Sequence, residues 1–252
     1  MKKYYFIITF VLLFAFYHLA EYFVMFKNNA LFFFLFQGLF FLTAYIMGKI
    51  IDKKGLSTWG FKKSRNTILQ IFIGLLVGII LYGIPFLVCL FFGIEKIEKI
   101  PSLGNIITPT SLFLFGIIFS SVSEDILTRG IFYKVFRGKI SNILIILITS
   151  FVYFFNHIYK LTSGWETFFY IFLLGVVFSI AMIETKHLWM TSAMHWAGNA
   201  TFYITHQVFS TVEYPSNFEF NSILSILMII FILFYTIYKL ILIQKQNKLN
   251  ES

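Results

Sequence analysis

The chain has 252 residues, 59% of them hydrophobic and only 12% charged, and it carries 35 Phe and 14 Tyr. A soluble domain of this length could not bury so many aromatic side chains and keep a wettable surface, so composition excludes a water-soluble fold and points to an integral membrane protein. The formal net charge of +9 then reads as membrane topology and attraction to anionic lipid, and it excludes nucleic acid as the expected partner.

A helix needs about 20 apolar residues to cross a bilayer. Eight such stretches can be placed, at 4–26, 30–50, 67–93, 109–133, 141–159, 167–185, 188–210 and 221–243. Period-two alternation is absent and the runs are too long for barrel strands. The expected fold is all-α: a polytopic bundle of about eight transmembrane helices forming a single domain over 1–252. The first stretch, MKKYYFIITFVLLFAFYHLAEYF, resembles a signal peptide only superficially. Its apolar core exceeds the usual ~7–15 residues and no small-x-small site follows, so it is expected to be retained as a span. In the third stretch Gly74 and Gly78 form a GxxxG that favours close helix packing, and Gly83 and Pro85 are candidate kink positions. Cys89, the sole cysteine, lies in that same stretch, which rules out an intramolecular disulfide or a cysteine metal cluster. The loops 51–66 and 94–108 are too short to be domains. No internal repeat and no nucleotide-binding glycine pattern is present.

Basic residues orient the bundle. With an even number of spans both termini share a side, and that side collects fifteen Lys and Arg residues, among them Lys53, Lys54, Lys62, Lys63, Arg65, Arg137 and Lys186. The other side has four, Lys27, Lys96, Lys99 and Lys160. By the positive-inside rule both termini are expected in the cytoplasm.

The fourth stretch contains Glu124, Asp125 and Arg129, in SSVSEDILTRGIFYKVF. Each ionised side chain costs about 2.5–3.5 kcal/mol at the centre of a spanning helix on insertion scales, so three together call for a reason. Asp125 and Arg129 are four residues apart, share a helix face and are expected to pair, which is a structural role. Glu124 points elsewhere and has no basic partner on its own helix. A carboxyl group in such a low-dielectric pocket suits a general base or a proton carrier. The fifth stretch ends at His157, with Tyr153 one turn earlier and Asn156 beside it; taken alone, this reads as a structural histidine near the interface. In the seventh, His195 and Asn199 are four apart and face the same way, and together they can hold a water, a metal or a developing oxyanion. His18, His187, His206, Glu21, Glu184 and Lys186 read as structural or interfacial. One geometric tension is visible. Counted from the cytoplasmic ends at 1.5 Å per residue, Glu124 lies about 15 Å deep, His195 about 10 Å, Asn199 about 16 Å and His157 about 24 Å.

These residues, in this order, resemble the CAAX-protease and bacteriocin-processing (CPBP/Abi) family of intramembrane proteases. That family carries E-E-x-x-x-R on one helix, F-x-x-x-H on a second and H-x-x-x-N on a later one. Here they stand as Glu124-Asp125-Ile126-Leu127-Thr128-Arg129, Tyr153-Phe154-Phe155-Asn156-His157 and His195-Trp196-Ala197-Gly198-Asn199. The resemblance covers roughly residues 109–203, the expected catalytic core, while the first hundred residues match only in being hydrophobic. Asp125 replaces the second glutamate and Tyr153 the phenylalanine. The shorter Asp125 still reaches Arg129, and Tyr153 keeps the ring.

The resemblance implies hydrolysis of a peptide bond in a small peptide precursor or a membrane-anchored protein tail. Glu124, helped by His157, would activate water; His195 and Asn199 would stabilise the oxyanion; Asp125 and Arg129 would support them. Because the family is also described as metalloproteases, Glu124, His157 and His195 are candidate zinc ligands, and zinc and metal-free chemistry both stay open here. A bacterial cell membrane is the expected location, since the abundance of Lys, Ile, Asn and Phe fits an AT-rich coding sequence. Two other readings compete: a catalytically inactive immunity or scaffold protein of the same fold, and a proton-coupled transporter using Glu124, against which the lack of repeated halves argues.

Overall fold

The computed structural model describes residues 3–160, 163–216 and 218–250. The chain is a helical bundle with helices in all eight apolar stretches: α1 Lys3–Lys27, α2 Ala30–Asp52, α3 Thr67–Phe91, α4 Leu103–Asp125 continued by α5 Ile131–Phe136, α6 Asn142–Asn156, α7 Trp165–Thr185, α8 Trp189–Tyr203 and α9 Phe220–Asn250. Among the described residues six helices are long and apolar enough to cross a membrane, Tyr4–Lys27, Ala30–Asp52, Thr67–Phe91, Thr110–Phe136, Trp165–Thr185 and Phe220–Gln246. The fifth and seventh stretches give the two exceptions, α6 and α8, of 15 residues each. α6 stops early because His157 leaves helical geometry, and α8 passes into a π turn, Ile204–Val208.

Local chemistry sets several of these ends. The Asn29 side chain accepts the Phe32 N–H at 3.0 Å and caps α2, while Ser141 caps α6 through the Leu144 N–H. Lys53 and Lys186 adopt left-handed conformations that close α2 and α7. α3 stays helical through Pro85.

Close helix approach is built on glycine. A methyl group at Gly74 would overlap the Met190 carbonyl, and one at Gly78 the Met194 carbonyl. The predicted GxxxG therefore seats α3 directly on α8, the helix of His195 and Asn199. At Gly175 a Cβ would stand 2.9 Å from Ser150 Cα, which holds α7 against α6, and Thr149 donates to Ser179 Oγ at 2.8 Å across the same contact. α7 sits at the centre, with every residue from Leu173 to Ile183 buried. Large side chains on α1, α2, α3 and α9 face outward, as lipid-facing helices require: Ile68 is 83% exposed and Phe234 70%.

Two segments expected as plain loops are structured. Residues 95–99 form a strand, β1 Glu95–Lys99, paired antiparallel with β2 Ser210–Glu213, with a bulge between Ile97 and Lys99. A ribbon this short joins segments more than a hundred residues apart, so no local periodicity announces it. The 51–66 loop is wedged into the bundle rather than spanning it. Its Trp59 is buried and donates from Nε1 to the Ala44 carbonyl at 2.7 Å.

Candidate active site

Glu124 lies in the last turn of α4, which ends at Asp125 and is followed at once by a π turn, Ile126–Gly130. Such wide turns often mark functional positions because they re-aim side chains within a helix. Arg129 is wholly buried and pairs with Asp125. Its guanidinium lies over two rings, with Cζ 4.3 Å from the Tyr153 centroid and 5.0 Å from that of Phe178. The charge of Asp125 is thus matched, and its other oxygen accepts from Ser192 at 2.7 Å. The ion pair expected from their spacing is present, and both oxygens of Asp125 have partners.

Glu124 itself is 5% exposed. Asn156 donates to its Oε1 at 3.0 Å, and His157 Nδ1 stands 3.7 Å from the same oxygen. On the other side His195 Nε2 is 3.6 Å from Oε2, while His195 Nδ1 faces Asp125 Oδ1 at 3.6 Å. The two imidazoles flank the carboxylate just beyond hydrogen-bond length, so neither consumes its basic oxygens. His157 Nδ1 also lies 2.8 Å from the Tyr153 carbonyl. A carbonyl only accepts, so this nitrogen carries the proton.

The depth mismatch read from sequence disappears for two reasons. The helix containing Glu124 runs on to Phe136 rather than ending at 133, which puts Glu124 about 18 Å from that end. His157, past the end of α6, turns its ring back to Tyr153, itself about 17 Å from the start of α6. A polar site thereby assembles at one level from three helices.

Glu124, His157, His195 and Asn199 all line one cavity of about 380 Å³. Its walls also come from helices outside the motifs: Tyr17, Glu21 and Met25 from α1 and Tyr82 from α3. A larger cavity of about 680 Å³ lies at the opposite end of the bundle, among Lys53, Lys54, Lys62, Arg137 and Lys186. It lacks the carboxylate–imidazole cluster, and the two cavities share no lining residue. Of the remaining histidines, His18 pairs with Glu21 at 3.2 Å, His206 approaches Glu95 at 3.4 Å, and His187 lines the basic cavity. Asn156 and Ser192, which hold Glu124 and Asp125, were not expected as site residues. Their only sequence cue was position, directly before His157 and three residues before His195.

Residues 106–201 match the family described as Type II CAAX prenyl endopeptidase Rce1-like. The resemblance to the CAAX-protease family is thereby shown for this segment. The segment runs from α4 into α8 and contains the whole Glu124, His157, His195 and Asn199 constellation. No curated protein matches the chain. By its description that family is one of CAAX prenyl endopeptidases, and the match leaves residues 1–105 and 202–252 outside it.

Proposed function

We propose that this chain is an intramembrane endopeptidase of a bacterial cell membrane that cleaves a small peptide precursor or the tail of a membrane-anchored protein by glutamate-activated water. The observation that carries this is the buried Glu124 carboxylate, flanked by two imidazoles and open to a cavity that also holds Asn199. Such a group can take a proton without first being released from an ion pair.

In the proposed reaction Glu124 removes a proton from a water in the cavity, and the hydroxide oxygen bonds to the scissile carbonyl carbon. The carbonyl electron pair moves onto oxygen, where His195 and Asn199 donate to it. On collapse the C–N bond breaks and the proton held by Glu124 passes to the leaving amine. Asn156, which donates to Oε1, holds the carboxylate in place, and His157, fixed by the Tyr153 carbonyl, stands beside it to help orient the water.

Glu124, His157 and His195 are the residues that would hold zinc, and the metal-free form of the chemistry is the one proposed. Among the described residues no group of three or more His, Cys, Asp or Glu is arranged to hold a metal ion. His157 Nδ1, the ring nitrogen facing Glu124, is committed as a donor to a carbonyl.

The test compares peptide termini in the membrane and medium of cells producing wild type, Glu124→Ala or His195→Ala at equal protein levels. Termini found only with wild type are the expected result and name the substrate. Identical termini in all three, with any protective phenotype intact, would replace the enzyme with an immunity or scaffold protein.

A further inference from the structure

The catalytic cavity opens toward the end of the bundle that is poor in cations. Its rim carries Glu21 and Met25, in the last turns of α1, and Lys160, in the connection after α6. Met25 is 53% exposed. The opening exists because α6 stops short. Measured from the Ser150–Gly175 contact, α7 extends about 15 Å toward this end and α6 only about 9 Å. The space left over the end of α6 is the mouth. A second, shallower groove along Phe113, Ile117, Tyr203 and Gln207 shares Asn199 and Phe202 with the cavity, and it lies in the same half of the bundle.

Toward the other end the site is closed. Asp125, Ile126, Leu127 and Arg129 have no exposed surface, and Trp59 is buried beneath Gly130. The far end carries the lysine-rich loops, with Lys49, Lys53, Lys54, Lys62, Arg137 and Lys186 around one cavity. Basic residues of short loops are retained in the cytoplasm, so the closed end is cytoplasmic and the mouth faces out.

We infer that Glu124 is reached only from the extracytoplasmic side, through the mouth or the groove beside α8. This rests on the endopeptidase reading and narrows its substrate class. The substrate is a peptide already exported, or the outward-facing tail of a membrane-anchored protein, and not a tail presented from the cytoplasm.

Cys89 is the chain's sole cysteine and is buried, so single-cysteine labelling is direct. In a Cys89→Ala background, Met25→Cys and Lys160→Cys report the mouth, while Lys54→Cys and Lys62→Cys report the closed end. Intact cells are treated with a membrane-impermeant maleimide, and matched samples are treated after permeabilisation. Mouth cysteines labelled at least tenfold more than Lys54→Cys and Lys62→Cys in intact cells, with all four labelled after permeabilisation, is the expected result. Labelling of Lys54→Cys or Lys62→Cys in intact cells overturns the inference. So does protection of both mouth cysteines until permeabilisation. The readout needs no catalysis: adding Glu124→Ala leaves the labelling pattern unchanged, so failure of the enzyme reading and failure of the orientation are seen separately.

Discussion

At the scale of single residues, the site divides the work between two adjacent acids. Asp125 is neutralised by Arg129 and held by Ser192, whereas Glu124 keeps its oxygens facing imidazoles and a cavity. Truncating Arg129 leaves a buried carboxylate without its counter-charge, which typically costs about 3–5 kcal/mol. Arg129→Ala should therefore lower the thermal unfolding midpoint in detergent substantially, and Arg129→Lys should recover only part because the guanidinium's contact with the Tyr153 ring is lost. Glu124→Gln keeps the shape and the Asn156 contact, so the unfolding midpoint should stay near wild type while cleavage is abolished. Asn199→Ala removes one proposed oxyanion donor and should reduce kcat by about 100- to 1,000-fold with little change in KM. A loss confined to KM would instead make Asn199 a substrate-binding residue. Chelators that strip zinc should leave cleavage unchanged after prolonged dialysis; loss of activity restored by added zinc would overturn the metal-free chemistry.

At the scale of elements, catalytic geometry depends on helix contacts that have no polar chemistry. α3 contributes no proposed catalytic group, yet its Gly74 and Gly78 set the distance to α8 and so the position of His195. Gly78→Leu should push α8 away and lower both activity and stability. Gly83→Ala, on the same helix, meets nothing within 4 Å and should be neutral or slightly stabilising, since alanine is the better helix former. Parallel melting curves and cleavage rates for the two variants check this. The GxxxG was legible because small residues at that spacing have one common use. The π turn after Asp125 and the early end of α6 were not, since each depends on which neighbours accept the released backbone and side-chain groups. His157 illustrates the limit. Straight-helix counting placed it too deep, and only its departure from α6, with its ring turned back onto the Tyr153 carbonyl, brings it level with Glu124.

At the scale of the whole molecule, the matched segment alone does not enclose the site. Tyr17, Glu21, Met25 and Tyr82 wall the cavity from helices that precede residue 106 and carry no motif. Met25→Trp should therefore narrow the mouth and raise KM for a peptide substrate while leaving kcat within about twofold, because tryptophan there stays clear of the reacting atoms. An unchanged KM would place the entry path elsewhere. Composition and apolar run length decided the membrane environment and the helical bundle, because hydrocarbon leaves the backbone few alternatives. Charges too costly to bury idly singled out Glu124, Asp125 and Arg129, helical spacing paired His195 with Asn199, and the family resemblance added His157, all before any fold was known. What folding alone decided was the level at which the helices meet, the hands of Asn156 and Ser192 on the two acids, and the end at which the cavity opens. Those follow from where α6 stops and how closely glycines let helices approach, which are contacts between segments far apart in the chain and leave no local pattern to read.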